Sequence, residues 1–268
     1  MTKHFTDQLN RTITLREWPP KRIISLVPSQ TELLHELGLH TEVIGITKFC
    51  VHPETWFQGK TRIGGTKTVN FEKIKALQPD LIIGNKEENE KEQIELLAGL
   101  YPVWMSDVGN LDQALDMIGR VGDLTGRPEM AQSLCNTIKT RFAVSLPPST
   151  VYRPPSTVYI IWRKPFMAAG GDTFINSMLN LAGFENVFAD KSRYPEIPPG
   201  ELSQAAPEFI LLSSEPYPFR EKHLEQFREI CPRAQVNLVD GEMFSWYGSR
   251  LLHAPGYFHQ LRKSLRLA

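Results

Sequence analysis

The sequence predicts an α/β protein of two Rossmann-like lobes joined by a long helix. Three observations carry that expectation. After Pro19 and Pro20, short apolar runs alternate with turn residues and amphipathic stretches. Residues 111–146 break the alternation with helical periodicity alone. Beyond them the pattern of the first half returns.

Residues 1–20 read as an N-terminal extension and 21–110 as the first lobe. Arg22–Val27 (RIISLV) reads as a buried strand, Pro28-Ser29 as a helix start, and Thr31–Leu37 as the helix that Gly38 stops. Further strands are expected at Val43–Thr47, Leu81–Gly84 and Val103–Ser106, with helices over Asn70–Leu77 and Asn89–Ala98. In the connector, Leu111, Ala114, Leu115 and Ile118 share one helical face, and Met130, Leu134, Ile138 and Phe142 share another. A helix from Pro128 to Ser145 would extend about 27 Å, enough to run from one lobe to the other. Residues 147–156 form a Pro-rich loop in which a tandem repeat begins, PPSTVYR at 147–153 and PPSTVYI at 154–160. Only the second copy continues into apolar residues, so the strand is assigned to Thr157–Trp162, opening a second lobe over 157–268. There Ala205-Ala206-Pro207-Glu208-Phe209-Ile210-Leu211 matches Leu77-Gln78-Pro79-Asp80-Leu81-Ile82-Ile83: a helix end, a proline, then a buried strand.

The 268 residues suit one large or two modest domains, and hydrophobic residues at 41% are enough for a core. Thirty basic and thirty acidic residues balance, which removes the usual drive toward nucleic acid or anionic lipid. No stretch is apolar enough to span a bilayer. The first twenty residues hold no secretory apolar run, so the sequence as it reads suggests the cytoplasm, or the periplasm if a leader precedes it. Cys50, Cys135 and Cys231 are too few and too irregular for a disulfide framework. No intrinsic cofactor or metal is expected.

Known enzyme signatures fail on spacing. Gly59-Lys60-Thr61 lacks the glycine a phosphate loop needs at position 54, and His35 and His40 lie one residue too far apart for a zinc-protease helix. What remains is a set of aromatic and charged loops at strand ends, where open parallel sheets bind ligands. Phe49, Cys50 and His52 follow one strand, Asn85 and Glu87 another, and Trp162, Arg163, Lys164 and Phe166 a third. Arg193, Tyr194, Glu215, Tyr217, Glu242, Phe244, Trp246, Tyr247 and Arg250 complete the set, expected to wall a cleft between the lobes. Each has a plainer reading: the aromatics as core, Cys50 as a packed thiol, and Lys86–Lys91 as a solvated helix start. Glu72 and Glu201 occupy equivalent first-turn positions, either stabilising helix dipoles or serving as docking charges for a symmetric partner.

RIISLVPSQTELLHELGL, then VIGIT with the Cys50–Pro53 loop, then NFEKIKALQPDLIIG resemble the amino-terminal lobe of vitamin B12-binding proteins of bacterial ABC importers. These belong to the helical-backbone, class III periplasmic binding proteins, and the resemblance covers about residues 21–265. It implies a monomeric, non-enzymatic solute-binding protein taking cobalamin or another corrinoid or metal chelate, and handing it to an ABC permease through Glu72 and Glu201. Phe49 stands where the family has a tyrosine and Tyr194 where it has a tryptophan. Thr66 and Asn85 replace ligand-stacking tryptophans, and Glu242 and Trp246 replace an Asp and an Arg that touch the corrin edge. Relatives also bind haem or ferric siderophores. The rival reading is an enzyme using Cys50 as nucleophile or metal ligand, with His52, Glu87 or Glu215 as base.

Overall fold

In the computed structural model, residues 1–145 and 153–267 are described. The chain opens with an antiparallel hairpin, β1 (Lys3–Thr6) and β2 (Thr12–Leu15). There follow β3 (Ile23–Ser25), α1 (Pro28–Glu36), β4 (Val43–Ile46), α2 (Glu54–Gly59), β5 (Thr61–Arg62), α3 (Phe71–Leu77), β6 (Leu81–Asn85), α4 (Lys91–Ala98) and β7 (Val103–Ser106). Helices α5 (Leu111–Thr125) and α6 (Pro128–Ser145) come next. After them are β8 (Ser156–Trp162), β9 (Met167–Ala168), α7 (Phe174–Leu181), β10 (Glu185–Asn186), α8 (Pro199–Ala205), β11 (Phe209–Ser213), α9 (Leu224–Ile230), β12 (Gln235–Val239), α10 (Glu242–Ser245) and α11 (Ala254–Ser264). Within the tandem repeat, residues 147–152 lie outside the described residues, and the second copy enters β8.

Two compact α/β units result. The first comprises Met1–Val108, Asp112–Ile138 and Tyr247–Arg250; the second comprises Gly109–Leu111, Lys139–Trp246 and Leu251–Ala268. Residues of α6 belong to both, so the fold is two Rossmann-like lobes joined by a long backbone helix.

The first unit's sheet has the order β5-β4-β3-β6-β7, all parallel. Every residue of β3, β6 and β7 is buried, as expected of parallel strands covered by helices on both faces. That is why these strands are continuous apolar runs instead of alternating ones. Pro28 opens α1, where its missing N–H costs nothing, and Gly38 ends it at φ +73°, which side chains with a Cβ rarely adopt. The Asn70 side chain caps α3 by accepting from Lys73 N at 2.9 Å.

The second unit's sheet has the order β10-β8-β11-β12, parallel, with β9 antiparallel to β8. Its core gathers Val158, Ile160, Ile210 and Leu212 from the strands with Leu202 and Phe227 from the helices. The internal repeat is structural. Gln78 and Ala206 both end their helices in the left-handed conformation at φ 44°. Asp80 then accepts from Lys21 N (2.7 Å) and Arg22 N (2.9 Å), and Glu208 from Ser156 N (2.9 Å). Each carboxylate thereby fastens the start of the neighbouring strand, β3 or β8. These hydrogen bonds to the Ser156 backbone and hydroxyl, with Arg153, hold the Glu208 carboxyl below its ordinary range against some desolvation.

The expected N-terminal extension is instead an ordered part of the first unit. Asp7, fully buried in the β1–β2 turn, accepts from Leu9 N (2.9 Å), Arg11 N (2.8 Å) and Arg11 Nε (2.8 Å), and reaches Met105 N at 3.3 Å. Gln8 N donates to Met105 O, and Asp107 N to Gln8 Oε1. Strand β7 is the sheet edge, and this turn covers its open backbone groups.

Candidate functional site

Each sheet reverses its strand order beside one strand. In the first unit β3 is followed by β4 on one side and β6 on the other; in the second, β8 has β10 on one side and β11 on the other. The carboxyl ends of β3 with β6, and of β8 with β11, are therefore where a ligand crevice forms in such sheets.

At the first unit's carboxyl edge, Asn85 ends β6 and shapes the turn after it. Its Nδ2 donates to Ser106 Oγ (2.9 Å), and its Oδ1 accepts from Glu87 N (2.8 Å) and Glu88 N (3.2 Å). Asn89 Oδ1 accepts from Asn85 N at 2.8 Å. The turn is thus held rigidly and leaves Glu87 and Glu88 half-buried. Tyr247 Oη donates to Glu88 Oε1 at 2.9 Å, and burial, with Glu88 beside it, pushes the phenol well above its ordinary range. Beyond β4, Phe49 is 50% exposed, with Lys48 Nζ 5.1 Å from its ring centroid.

At the second unit's carboxyl edge, Trp162 ends β8 with 39% of its surface exposed. It stands edge-on to Tyr217 at 5.7 Å, and its indole N–H donates to Lys164 O at 3.2 Å. Arg163 Nε donates to Gln226 Oε1 (3.1 Å), while Lys164 is exposed. These two with Pro165 and Phe166 face Glu196, Ile197 and two prolines across a recess of about 330 Å³. Exposed Arg193 lies 5.9 Å from the Tyr194 ring. Glu215 Oε1 accepts from Ser245 Oγ (2.5 Å) and Trp246 Nε1 (2.9 Å). Burial above all raises the Glu215 carboxyl, the nearby Glu242 and Asp240 add to it, and the two donors only partly offset the rise.

Several expected ligand contacts are buried or engaged within the protein. Cys50 is 0% exposed, its thiol between Thr31 Oγ1 (3.0 Å) and Thr47 Oγ1 (3.1 Å), and burial raises its pKa. It offers a solute no surface, and a thiol held protonated is a poor nucleophile. Asn85 is likewise buried and spends its amide on the turn. Phe166 packs on Phe227 (4.8 Å) and Phe244 on Phe258 (4.8 Å), both as core. The Trp246 and Tyr247 rings are buried, with their polar atoms given to Glu215 and Glu88. Arg250 forks onto Glu32, Nη2 to Oε1 at 2.7 Å and Nε to Oε2 at 3.1 Å, and so is not a free ligand donor. Phe49, Trp162, Lys164 and Arg193 remain exposed, with His52, Glu87, Arg163, Tyr194, Glu215, Tyr217 and Glu242 half-buried. Glu72 is exposed in the first turn of α3, whereas Glu201 in α8 is paired with Lys191 at 2.8 Å. Residues not foreseen include Lys48, Glu88, Ser245 and Glu32. Of these, Glu88 and Ser245 sit within segments already marked by their strand-end position.

Two parallel sheets, each with aromatic and charged loops at its carboxyl edge, in units that share a long helix, fit the class of two-lobed solute receptors. The sequence model of the family described as periplasmic binding protein matches residues 23–230, and the chain belongs to that family. Its members are solute-binding proteins of the periplasm, not enzymes, and work with ABC transporter permeases. The chain is 27% identical over 210 residues to a vitamin B12-binding protein of Yersinia pestis, covering 75% of this chain and 72% of the relative. Among solved structures, the periplasmic vitamin B12 binding protein of Vibrio cholerae aligns with TM-score 0.76 and 22% identity, over 93% of this chain and 99% of that one. A periplasmic heme binding protein of Pseudomonas aeruginosa aligns with TM-score 0.77 and 19% identity, over 90% and 92%. Among the described residues no helix is long and apolar enough to cross a membrane.

Proposed function

We propose that this protein binds cobalamin, or a related corrinoid, at carboxyl-edge loops of its parallel sheets and delivers it to an ABC permease. The observation that carries this is an exposed ring at a strand end in each unit, Phe49 with the Lys48 ammonium 5.1 Å from its centroid and Trp162 two residues before exposed Lys164. Flat apolar faces with charges at their margin suit a large, flat chelate with a polar rim. Lys164 and Arg193 would donate to amide or phosphate oxygens, and Glu87 and Glu242 would accept from amide N–H groups. Glu72 and Glu201 would dock the permease, Glu201 after leaving Lys191. The family's compartment supports a periplasmic site of action, and we take the protein to act there as a monomer.

Calorimetric titration with cyanocobalamin tests the reading. Saturable 1:1 binding is expected, with quenching of tryptophan fluorescence. No heat and no quenching at high micromolar cyanocobalamin would refute the corrinoid assignment. The heme-binding structural relative favours haem as the second ligand to titrate, ahead of a ferric siderophore.

A further inference from the structure

In the second unit a chain of rings runs outward from the core: Phe166 to Phe227 (4.8 Å), Phe227 to Phe219 (5.9 Å), Phe219 to Tyr217 (4.7 Å), and Tyr217 to the exposed Trp162 (5.7 Å). One polar ring is set into it. His223 is buried, 5.5 Å from Tyr217 and 5.7 Å from Phe219 by ring centroid. Its Nδ1 lies 2.9 Å from Arg220 N, and its Nε2 3.4 Å from Tyr217 Oη.

The tautomer follows from the partners. A backbone N–H only donates, so Nδ1 must present its lone pair to Arg220. The ring proton of neutral His223 is therefore on Nε2, facing the Tyr217 hydroxyl. Two bonds from one imidazole tie together the segment that carries Tyr217, and Tyr217 in turn supports the indole of Trp162.

We infer that His223 is the positioning residue of the Trp162 platform, and that proton uptake by its imidazole opens the Arg220 end of the segment carrying Tyr217 and so moves the ring surface offered to ligand. A second proton would sit on Nδ1 and meet the Arg220 N–H head-on, so the acceptor that closes the segment is lost. The charged groups around the ring oppose that proton. Arg163 faces it from the turn after β8, Arg220 and Lys222 from its own segment, and Tyr217 brings only a neutral hydroxyl. Burial first, then these three cations, lower the imidazole pKa from its ordinary 6.5. Because the folded value is lowered, the stability contributed by neutral His223 is present above about pH 6.5 and declines as pH falls toward the folded pKa.

The inference rests on the proposed reading only in taking Trp162 as a ligand-facing ring, so its first test needs no ligand. In ¹⁵N-labelled protein, the Trp162 indole N–H resonance is identified by its loss in Trp162→Phe and followed from pH 7.5 to 4.5. Its shift is expected to track the His223 ring signals through one titration with a midpoint below 6.5. His223→Asn keeps an acceptor for Arg220 N but takes no proton, and is expected to abolish the indole titration. Cyanocobalamin affinity is expected to fall about fivefold or more across the same transition in the native protein, and to stay level in His223→Asn. A Trp162 resonance that stays still while His223 titrates overturns the inference using the unmodified protein alone. An indole titration that persists in His223→Asn overturns it as well. An indole that follows His223 in a protein with no affinity for cyanocobalamin at any pH supports the coupling and refutes the ligand.

Discussion

Replacing Trp162 by alanine tests the proposed site at the ring that stands furthest out from the second unit's core. A tryptophan side chain presents up to about 250 Å². With 39% of the residue exposed, roughly 100 Å² of aromatic surface is left for a ligand to cover. At about 25 cal/mol per Å² that surface contributes about 2.5 kcal/mol, or roughly 70-fold in Kd. Trp162→Ala is thus expected to weaken cyanocobalamin by about that factor, and Trp162→Phe by less than tenfold, because a ring remains. Isothermal titration at pH 7.5 reads both, with Leu96→Ala as the control: Leu96 is also exposed, but lies on α4 away from the strand ends. A change below threefold in Trp162→Ala, or equal weakening in Leu96→Ala, would refute the placement of the ligand on this ring.

Asp7→Ala leaves Leu9 N, Arg11 N, Met105 N and the Arg11 guanidinium without their shared acceptor, a loss of about 3 kcal/mol or more of stability. Urea denaturation should show it as a lower midpoint at unchanged m-value, and a loss under 1 kcal/mol would mean the β1–β2 turn does not hold β7. Ala206→Gly should stabilise the second unit by about 0.5–1 kcal/mol, since φ 44° costs alanine more than glycine; destabilisation would contradict the strain assigned to the α8 end. Cys50 should react with iodoacetamide at pH 7.5 far more slowly than a free model thiol, as its burial and raised pKa require. Reaction at or above the model rate would revive the nucleophile reading.

Much of the fold was legible because parallel strands buried on both faces must be apolar throughout. Ile23–Ser25, Leu81–Asn85 and Phe209–Ser213 therefore stand out as runs bounded by Pro and polar residues. The repeat of Pro79-Asp80 at Pro207-Glu208 was visible for a physical reason as well: in both units an acid after the proline fastens the start of the next strand. The β1–β2 hairpin was not visible. Its strands are four residues each, and what orders their turn is Asp7 reaching Met105, ninety-eight positions away. At the candidate site, strand-end position picked out the loops but not which of their rings are exposed. Trp162 and Trp246 are the same residue type in similar polar company, yet one is exposed and the other is buried and donates to Glu215. The pairing of Arg250 was equally hidden, since its partner Glu32 sits on α1, far off in sequence.

Native mass spectrometry of the protein mixed with equimolar cyanocobalamin, haemin and a ferric hydroxamate siderophore tests the central claim most directly. A single 1:1 complex dominated by cyanocobalamin is expected, and it should disappear when Phe49 and Trp162 are both alanine. A native protein that retains none of the three, or a double variant that keeps its chelate undiminished, would contradict the account.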